Sequence, residues 1–192
     1  MLDDNAAYLT RNGRDLTTFR DIVENVDSLV AFEFQQANGL GPVHTLAGAT
    51  DGFVEAPGLP IVFARVYSEP ISQRYAIGPL GRGWSHNWEI AIESGTNGDM
   101  IVTGPAGSRR EFHEPLWWHI PYGEYLAGAG DYGKLRSLGG GTFSLRETDG
   151  TLYMFRSDGK LDYVQDPNTN RITAAYTSGR LSALTHSSDH SL

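Results

Sequence analysis

The sequence predicts a mainly β protein, an antiparallel β-meander preceded by one amphipathic helix, and three observations support this fold class. Its 23 glycines in 192 residues are scattered at turns rather than clustered, as expected for many short strands. The last third alternates β-type segments with turns that contain Asp-Gly, Asp-Pro-Asn or Ser-Gly, which favour tight reversals. Only one segment, near the N-terminus, carries apolar residues at helical spacing.

The predicted helix covers residues 16–30 and can be capped by Asp15 or Thr17. Its apolar face consists of Leu16, Phe19, Ile22, Val23, Val26, Leu29 and Val30. Glycine, proline and aspartate predict a loop over 39–60, and the β-branched and aromatic residues of 61–67 predict the first strand. We expect three parts: an N-terminal helical and linker segment (1–48), a pre-repeat β segment (49–140) and a repetitive meander (141–192).

The stretch GPLGRGWSHNW (78–88) is the most unusual in the chain. Its glycine spacing resembles a dinucleotide-binding fingerprint, but such a fingerprint opens a helix and here a strand follows, so we interpret the glycines as a sharp corner. From Trp84 onward every second residue is aromatic or apolar, which predicts one strand over 84–92 with Glu89 and Glu93 in solvent. The predicted core face consists of Trp84, His86, Trp88, Ile90 and Ile92.

Further along, the sequence predicts a hairpin turn at 95–99, two strands joined by a turn over 100–114, and an irregular excursion over 115–140. The meander then continues in short strands to residue 185. A sheet built by such repetition exposes an unpaired edge where it stops. We therefore expect the remainder of a longer repeat chain, or another protein, to cover that edge.

Composition argues against several classes of function. The formal net charge of −8 argues against nucleic-acid binding, which needs a basic patch. The chain has no apolar run of membrane-spanning length and no apolar segment typical of a signal peptide, so no membrane span is predicted and localisation stays open. There is no cysteine, and the closely spaced pair His186 and His190 lies in a terminal loop, so no metal or cofactor is predicted.

The last third of the chain resembles the repeats of the rearrangement-hotspot (Rhs) or YD-repeat family. The segments that fill the repeat pattern are DGKL (158–161), DPNTNRIT (166–173), Tyr176 and GRL (179–181). Thr169 stands where the pattern has glycine, and Thr177 stands where it has aspartate. Because threonine adopts a positive φ poorly, we expect the turn at Thr169 to be looser or differently shaped.

The segment before the repeats resembles the same family. The matching stretches are FARVYS (63–68), LGRGWSHNW (80–88) and PAGSRREF (105–112). The resemblance implies the start of a β-sheet shell that encapsulates or displays cargo in a bacterial secreted or cell-surface toxin or adhesin system. Because the sequence has no Gly-x-Ser-x-Gly elbow and no cysteine nucleophile, we expect no enzymatic activity. The resemblance also implies structural signature residues at Arg65, Tyr67, Gly81, Gly83, Trp84, His86, Trp88, Asp158, Gly159, Leu161, Asp166, Asn170, Tyr176, Gly179 and Leu181.

Two other functions remain open. A carbohydrate-binding module is suggested by the aromatic segment 115–132, because exposed aromatic rings stack on sugars. Its candidate ligand-binding residues are Trp117, Trp118, Tyr122 and Tyr125. A glycoside hydrolase would need a pair of carboxylates at a suitable separation. The candidates for that pair are Glu89, Glu93, Glu111, Glu114 and Glu124.

Two polar residues of the signature need partners if they are buried. Arg65 lies in phase with the apolar residues of its strand, so we expect it to pair with Glu69, Glu89 or a chain terminus. His86 stands between two tryptophans and could take part in a sugar platform or in the core. We favour the core, where a buried imidazole would donate to a backbone carbonyl and stay neutral.

Overall fold

The computed structural model describes residues 45–68, 74–75, 77–115 and 121–192. In this part of the chain nearly all regular structure is β, together with short 3-10 turns at Thr96–Gly98 and Pro105–Gly107. All strand pairs are antiparallel, so the predicted mainly antiparallel β fold is confirmed. The helix predicted at 16–30 lies outside the described residues.

The first part of the described chain forms a three-stranded sheet. In spatial order its strands are β1 (Thr45–Val54), β2 (Ile61–Ser68) and β5 (Trp84–His86). Between β2 and β5 the chain makes a hairpin of two short strands, β3 (Ile77–Gly78) and β4 (Gly81–Arg82). The loop predicted over 39–60 is wrong where β1 forms. Pairing with β2 along its whole length offsets the low β propensity of its glycines, and two register shifts absorb the irregular residues.

The remaining strands form one ten-stranded sheet in sequence order. They are β6 (Ala91–Ser94), β7 (Met100–Thr103), β8 (Arg109–His113), β9 (Glu124–Ala127), β10 (Lys134–Gly139), β11 (Thr142–Arg146), β12 (Leu152–Phe155), β13 (Leu161–Gln165), β14 (Arg171–Thr177) and β15 (Arg180–His186). The predicted meander and its turns are confirmed. The irregular excursion predicted over 115–140 is wrong at β9 and β10, where flanking glycines hide the alternation of two short paired strands.

The ten-stranded sheet curls into a half-barrel, and its first strand approaches the turn between β12 and β13. The backbone N–H of Ile92 donates to the carbonyl oxygen of Gly159 at 2.7 Å. Next to it, Ala91 and Lys160 form an antiparallel bridge. The edge strand β6 therefore gains a partner from a distant part of the sheet, and the curl is fixed by backbone hydrogen bonds.

One row of directly paired residues crosses seven strands of this sheet. From β9 to β15 its members are Tyr125, Leu135, Leu145, Tyr153, Val164, Ile172 and His186. Every one of them is buried or half-buried. Cross-strand neighbours of this kind are the units that stabilise a sheet, at roughly 0.2–1 kcal/mol for each favourable pair. We call this set the cross-strand row.

All members of the cross-strand row except His186 belong to a single apolar core or pack against it. Phe112, Phe155 and Leu161 extend the core on the ten-stranded sheet, and Ile61 and Trp88 join it from the side of the three-stranded sheet. No helix in the described part of the chain is long and apolar enough to cross a membrane.

The outer edge of β15 is partly covered by the residues that follow it. Leu184 and Leu192 exchange two backbone hydrogen bonds of 2.9 Å, and the N–H of His186 donates to the carbonyl oxygen of His190 at 2.7 Å. Among the described strands, none but β14 pairs with β15. The expected open edge is therefore present along the first half of β15 and covered along the second half.

Candidate functional site

The single strand predicted over 84–92 is wrong, because the chain breaks at Asn87. β5 ends at His86 in the three-stranded sheet, and β6 begins at Ala91 in the ten-stranded sheet. At the break, the Asn87 backbone N–H donates to the Ala64 carbonyl oxygen, and its side-chain Oδ1 accepts from the Ala64 N–H, each at 2.9 Å. Its Nδ2 donates to the Val62 carbonyl oxygen, also at 2.9 Å. The Asn87 side chain thus continues the ladder to β2 after the backbone has turned away.

The core face predicted for this stretch is only partly retained. Trp88 is 7% exposed, and its Nε1–H donates to the same Val62 carbonyl oxygen at 2.7 Å. His86 and Ile92 are also buried, whereas Trp84 and Ile90 are half-buried. Ser85, which the alternation places in solvent, is buried as well, since both faces of β5 are covered.

His86 packs against an aromatic ring rather than between the two tryptophans. Its ring centroid lies 5.1 Å from that of Phe63, and the side chain is 5% exposed. Within the described part of the chain, its Nδ1 atom has no hydrogen-bond partner. Burial lowers the pKa of His86, which favours the neutral imidazole, and Nδ1 does not donate to a backbone carbonyl.

Arg65 and Tyr67 both pack against Trp84. The Arg65 guanidinium lies 5.3 Å from the Trp84 ring centroid, and the Tyr67 ring centroid lies 5.2 Å from it. Among the described residues, Arg65 forms an ion pair with Asp51 at 3.3 Å and none with Glu89, whereas Glu69 lies outside the described residues. Asp51 belongs to β1, which sequence analysis had not identified as a strand.

The corner before Trp84 depends on two glycines in the left-handed region. Gly81 has a φ of 103° and Gly83 a φ of 71°. A Cβ atom on Gly83 would lie 2.8 Å from the Tyr67 ring, so no larger residue fits there without displacing it. The Gly83 carbonyl oxygen accepts from the Ser68 N–H at 2.9 Å, which fixes the corner to the end of β2.

A cleft of about 440 Å³ lies between this corner and the 3-10 turn at Pro105–Gly107. Its polar and aromatic lining consists of Ser68, Trp84, Ser85, Glu89, Thr103 and Arg109. Glycines complete the wall. Across one side of the cleft, the Ala106 N–H donates to the Ser85 hydroxyl at 2.8 Å, which holds the turn against β5.

Glu89 is the least expected member of the cleft, since the alternation predicts it in solvent. The residue is half-buried, and its Oε2 atom is buried with no hydrogen-bond partner among the described residues. Burial raises the pKa of Glu89, and a hydrogen bond from the His86 backbone N–H opposes this effect only in part. A carboxyl group with a raised pKa in a cleft is a candidate functional group.

The comparison with known families covers this same region. Residues 43–112 match the family described as Domain of unknown function (DUF6531). No curated protein matches the chain. The DUF6531 match runs from just before β1 to Phe112 in β8, so it contains the glycine corner and every lining residue of the cleft.

One residue of the DUF6531 match joins it to the later strands. The Arg110 guanidinium donates two hydrogen bonds of 2.8 Å to the Asp131 carboxylate and also pairs with the Glu147 carboxylate. Burial raises the pKa of Asp131, but its hydrogen bonds from Arg110 and from the Gly133 N–H outweigh burial, so the pKa lies below its ordinary value. Sequence analysis missed this cluster, because its members are far apart in the chain.

The repeat-like residues lie after the DUF6531 match, and the first set forms the turn between β12 and β13. Asp158 accepts from the Lys160 N–H at 3.3 Å and from Arg156 at 2.9 Å. Gly159 has a φ of 79°, and its carbonyl oxygen accepts the hydrogen bond from the Ile92 N–H. Leu161 follows as a fully buried core residue.

The second set closes the turn between β13 and β14. The Asp166 carboxylate accepts from the Asn170 N–H at 2.9 Å and from the Asn170 side chain at 2.7 Å. Thr169 adopts the left-handed conformation with a φ of 71°. Thr169 therefore occupies the left-handed region that favours glycine, and the Asp166–Asn170 hydrogen bonds hold the turn.

The third set surrounds Tyr176. Lys160 and Arg156 both lie over its ring, at 5.2 Å and 5.5 Å from the centroid. The Lys160 ammonium also donates to the Gly179 carbonyl oxygen at 2.7 Å. Leu181, half-buried, packs against the core. These side chains link one repeat-like turn to the next.

The terminal histidines meet through a serine. The His186 Nδ1 atom accepts from the Ser188 N–H at 3.0 Å, and the Ser188 hydroxyl lies within hydrogen-bond distance of Nδ1 of both His186 and His190. No cluster of three possible metal-ligating side chains occurs in the described residues.

The candidate ligand-binding aromatics are in different environments. Tyr122 is fully exposed, whereas Tyr125 is half-buried in the cross-strand row and packs edge-on against Phe143 at 6.1 Å. Burial raises the pKa of Tyr125. Trp117 and Trp118 lie outside the described residues.

Proposed function

We propose that this chain is a structural segment of a β-sheet shell of the Rhs or YD-repeat type, and that it acts as the closed beginning of that shell rather than as an enzyme. The observation that carries the proposal is the cross-strand row. Each of seven successive strands contributes one buried or half-buried side chain to a continuous row, so the sheet is suited to lengthening strand by strand.

Two further features support the closed-end role. The core of the curled sheet is filled by its own large side chains, with Phe112, Leu135, Leu145, Phe155 and Leu161 almost fully buried. A filled core encloses no cargo, so in this proposal the cargo space begins with later strands. The contact between Ile92 and Gly159 supports the same role, because it fixes the curl at the first strands.

The partner in this proposal is the remainder of a repeat chain, paired with the outer edge of β15. That edge is free along its first half among the described strands. Placement in a bacterial secreted or surface toxin or adhesin system belongs to the same proposal and follows from the family resemblance alone.

An extension experiment tests the proposal. A second copy of residues 171–186, attached after Leu192, would add two strands to β15. We expect one cooperative unfolding transition with a higher urea m-value and midpoint, because more surface is buried in the same unit. The matched control carries serine at the copied positions of Ile172, Ala174 and Leu184, and is expected to leave the parent transition unchanged. A separate second transition for the intact extension would refute the proposal.

Carbohydrate binding by the aromatic segment is a second candidate function. It is favoured by the exposure of Tyr122, which is complete, and of Tyr132, which is 76%. Co-sedimentation with insoluble cellulose or chitin tests it, with the double variant Tyr122→Ala, Tyr132→Ala as the comparison. Equal sedimentation of parent and variant would discard this role for the two tyrosines. A glycoside hydrolase stays a prediction without a specific observation in its favour.

A further inference from the structure

Glu89 lines the cleft beside the glycine corner, and one of its carboxylate oxygens has no hydrogen-bond donor in the described chain. The carboxylate has room for several donors, yet Oε2 is buried and finds none within the described chain. A buried polar atom without a partner is unfavourable for folding, and native proteins keep few of them. Such an atom on the wall of a cleft points to a ligand that supplies the missing donor.

The other walls of the cleft offer complementary groups. The Ser85 hydroxyl accepts from Ala106, so its own proton is available for donation, and the side-chain hydroxyl of Ser68 makes no hydrogen bond to a described residue. Arg109 lies at the rim, where it pairs with Glu111 at 3.0 Å. The half-buried Trp84 also lines the cleft, with its ring in contact with Arg65 and Tyr67.

The charges of the cleft select a neutral ligand. Glu89 disfavours an anion and Arg109 disfavours a cation, so the groups that fit are hydroxyls, which both donate and accept. A volume of about 440 Å³ falls within the range of small-molecule sites. Carboxylate, guanidinium and hydroxyl groups together supply the acceptors and donors that vicinal hydroxyls of a sugar need.

We propose that this cleft binds a small polyhydroxylated ligand, a sugar unit that is either free or the end residue of a glycan, with Glu89 accepting from its hydroxyls. The site is separate from the aromatic segment around Tyr122. It goes beyond the shell proposal and does not depend on it, because a structural segment and an independent protein could both carry it.

The test uses the full 192-residue chain labelled with ¹⁵N and titrated with four probes. These probes are methyl β-D-glucopyranoside, methyl β-D-galactopyranoside, methyl α-D-mannopyranoside and N-acetyl-D-glucosamine. For at least one probe we expect saturable amide shifts at Ser68, Ser85 and Ala106, with a Kd on the order of 1–10 mM, which is typical for so few ligand atoms. Binding of a methyl glycoside identifies the end of a glycan, and binding of the reducing sugar alone identifies a free sugar.

Two variants make the outcome decisive. Glu89→Met removes the carboxylate from the cleft, and with it the acceptor for the His86 N–H, so we expect at least tenfold weaker binding together with a lower Tm. Glu93→Gln, on the exposed part of β6, is the matched control and leaves both properties unchanged. The proposal is overturned if no probe gives saturable shifts, if Glu89→Met binds as well as the parent, or if the shifts fall at Tyr122 and Tyr125 instead of the cleft.

Discussion

Ile92 and Gly159 are joined by a 2.7 Å hydrogen bond and by an approach so close that a Cβ atom on Gly159 would lie 2.3 Å from the Ile92 carbonyl oxygen. Ile92 belongs to the region matched by DUF6531, and Gly159 belongs to the first repeat-like turn. Two parts of the chain that look separate in sequence are therefore locked together by backbone atoms.

This contact predicts that Gly159→Ala is strongly destabilising. The methyl group would collide with the Ile92 carbonyl and would hold alanine in the left-handed region, so we expect a loss of about 3 kcal/mol in the free energy of unfolding. Gly140→Ala is the matched control, because Gly140 has a φ of 61° and no atom within 4 Å of its Cβ position. It should lose only about 1 kcal/mol in urea unfolding. Equal losses would show that the Ile92 contact adds nothing.

The turn at Thr169 predicts a stabilising substitution. Thr169→Gly removes the backbone strain of a β-branched residue that has a φ of 71°. We expect the free energy of unfolding to rise by about 0.5–1 kcal/mol, after the greater unfolded-state entropy of glycine is included. Thr173→Gly in the exposed face of β14 is the control and should lose about 1 kcal/mol. Thermal unfolding of both variants checks the pair. If Thr169→Gly lowers the Tm, the left-handed conformation of Thr169 is not a source of strain.

The Arg110 cluster predicts an acid-dependent contribution to stability. The folded-state pKa of Asp131 is lowered, so its contribution is complete above the unfolded value of about 3.9 and is lost as the pH falls through the folded pKa. The Asp131 side chain is only 6% exposed, so Asp131→Asn should cost about 2 kcal/mol at pH 7.

Urea unfolding between pH 7 and pH 2 measures this contribution. The difference between parent and Asp131→Asn should shrink as the pH falls below about 4. Asp158→Asn, whose ion pair with Arg156 is exposed, is the control and should change stability by less than about 1 kcal/mol. A difference for Asp131→Asn that is constant with pH would contradict the ion pair.

The side chain of Asn87 predicts a loss specific to its amide nitrogen. Asn87→Asp keeps the acceptor for the Ala64 N–H but removes the donor to Val62 and places a charge next to a carbonyl oxygen, so we expect a loss of about 2–3 kcal/mol. Asn168→Asp, in the exposed part of a turn, makes the same chemical change and should stay within about 0.5 kcal/mol. Urea unfolding of both variants measures the two losses, and equal losses would contradict a role for the amide nitrogen of Asn87.

The fold could be predicted from the sequence where the turn residues agree with it. The turns with Asp-Gly, Asp-Pro-Asn and Ser-Gly mark the meander from β11 to β15, because each turn type limits the local backbone. The alternation from Trp84 to Ile92 led to the wrong prediction of a single strand. A period of two in the apolar residues does not show that the chain turns at Asn87, whose side chain continues the hydrogen bonds to β2. β1 was missed because its partner strand, and not its own residues, makes it a strand.

The candidate site was much less predictable. Glu89 looks solvent-facing by local pattern, but it lines a cleft that is formed with the turn at Pro105–Gly107, which packs against β5 from another part of the chain. Arg110 and Asp131 likewise show no pattern in sequence. Only the glycine corner itself, with Gly81 and Gly83 at positive φ, could be located from the sequence.

The cross-strand row also has a mechanical consequence. Its residues lie one per strand along a line perpendicular to the strands, and in an antiparallel sheet the backbone hydrogen bonds run along that same line. A force that pulls β9 away from β15 along this line would therefore break the backbone hydrogen bonds between neighbouring strands one after another. A force along the strands would load a whole ladder at once, so the segment should be pliant in the first direction and stiff in the second.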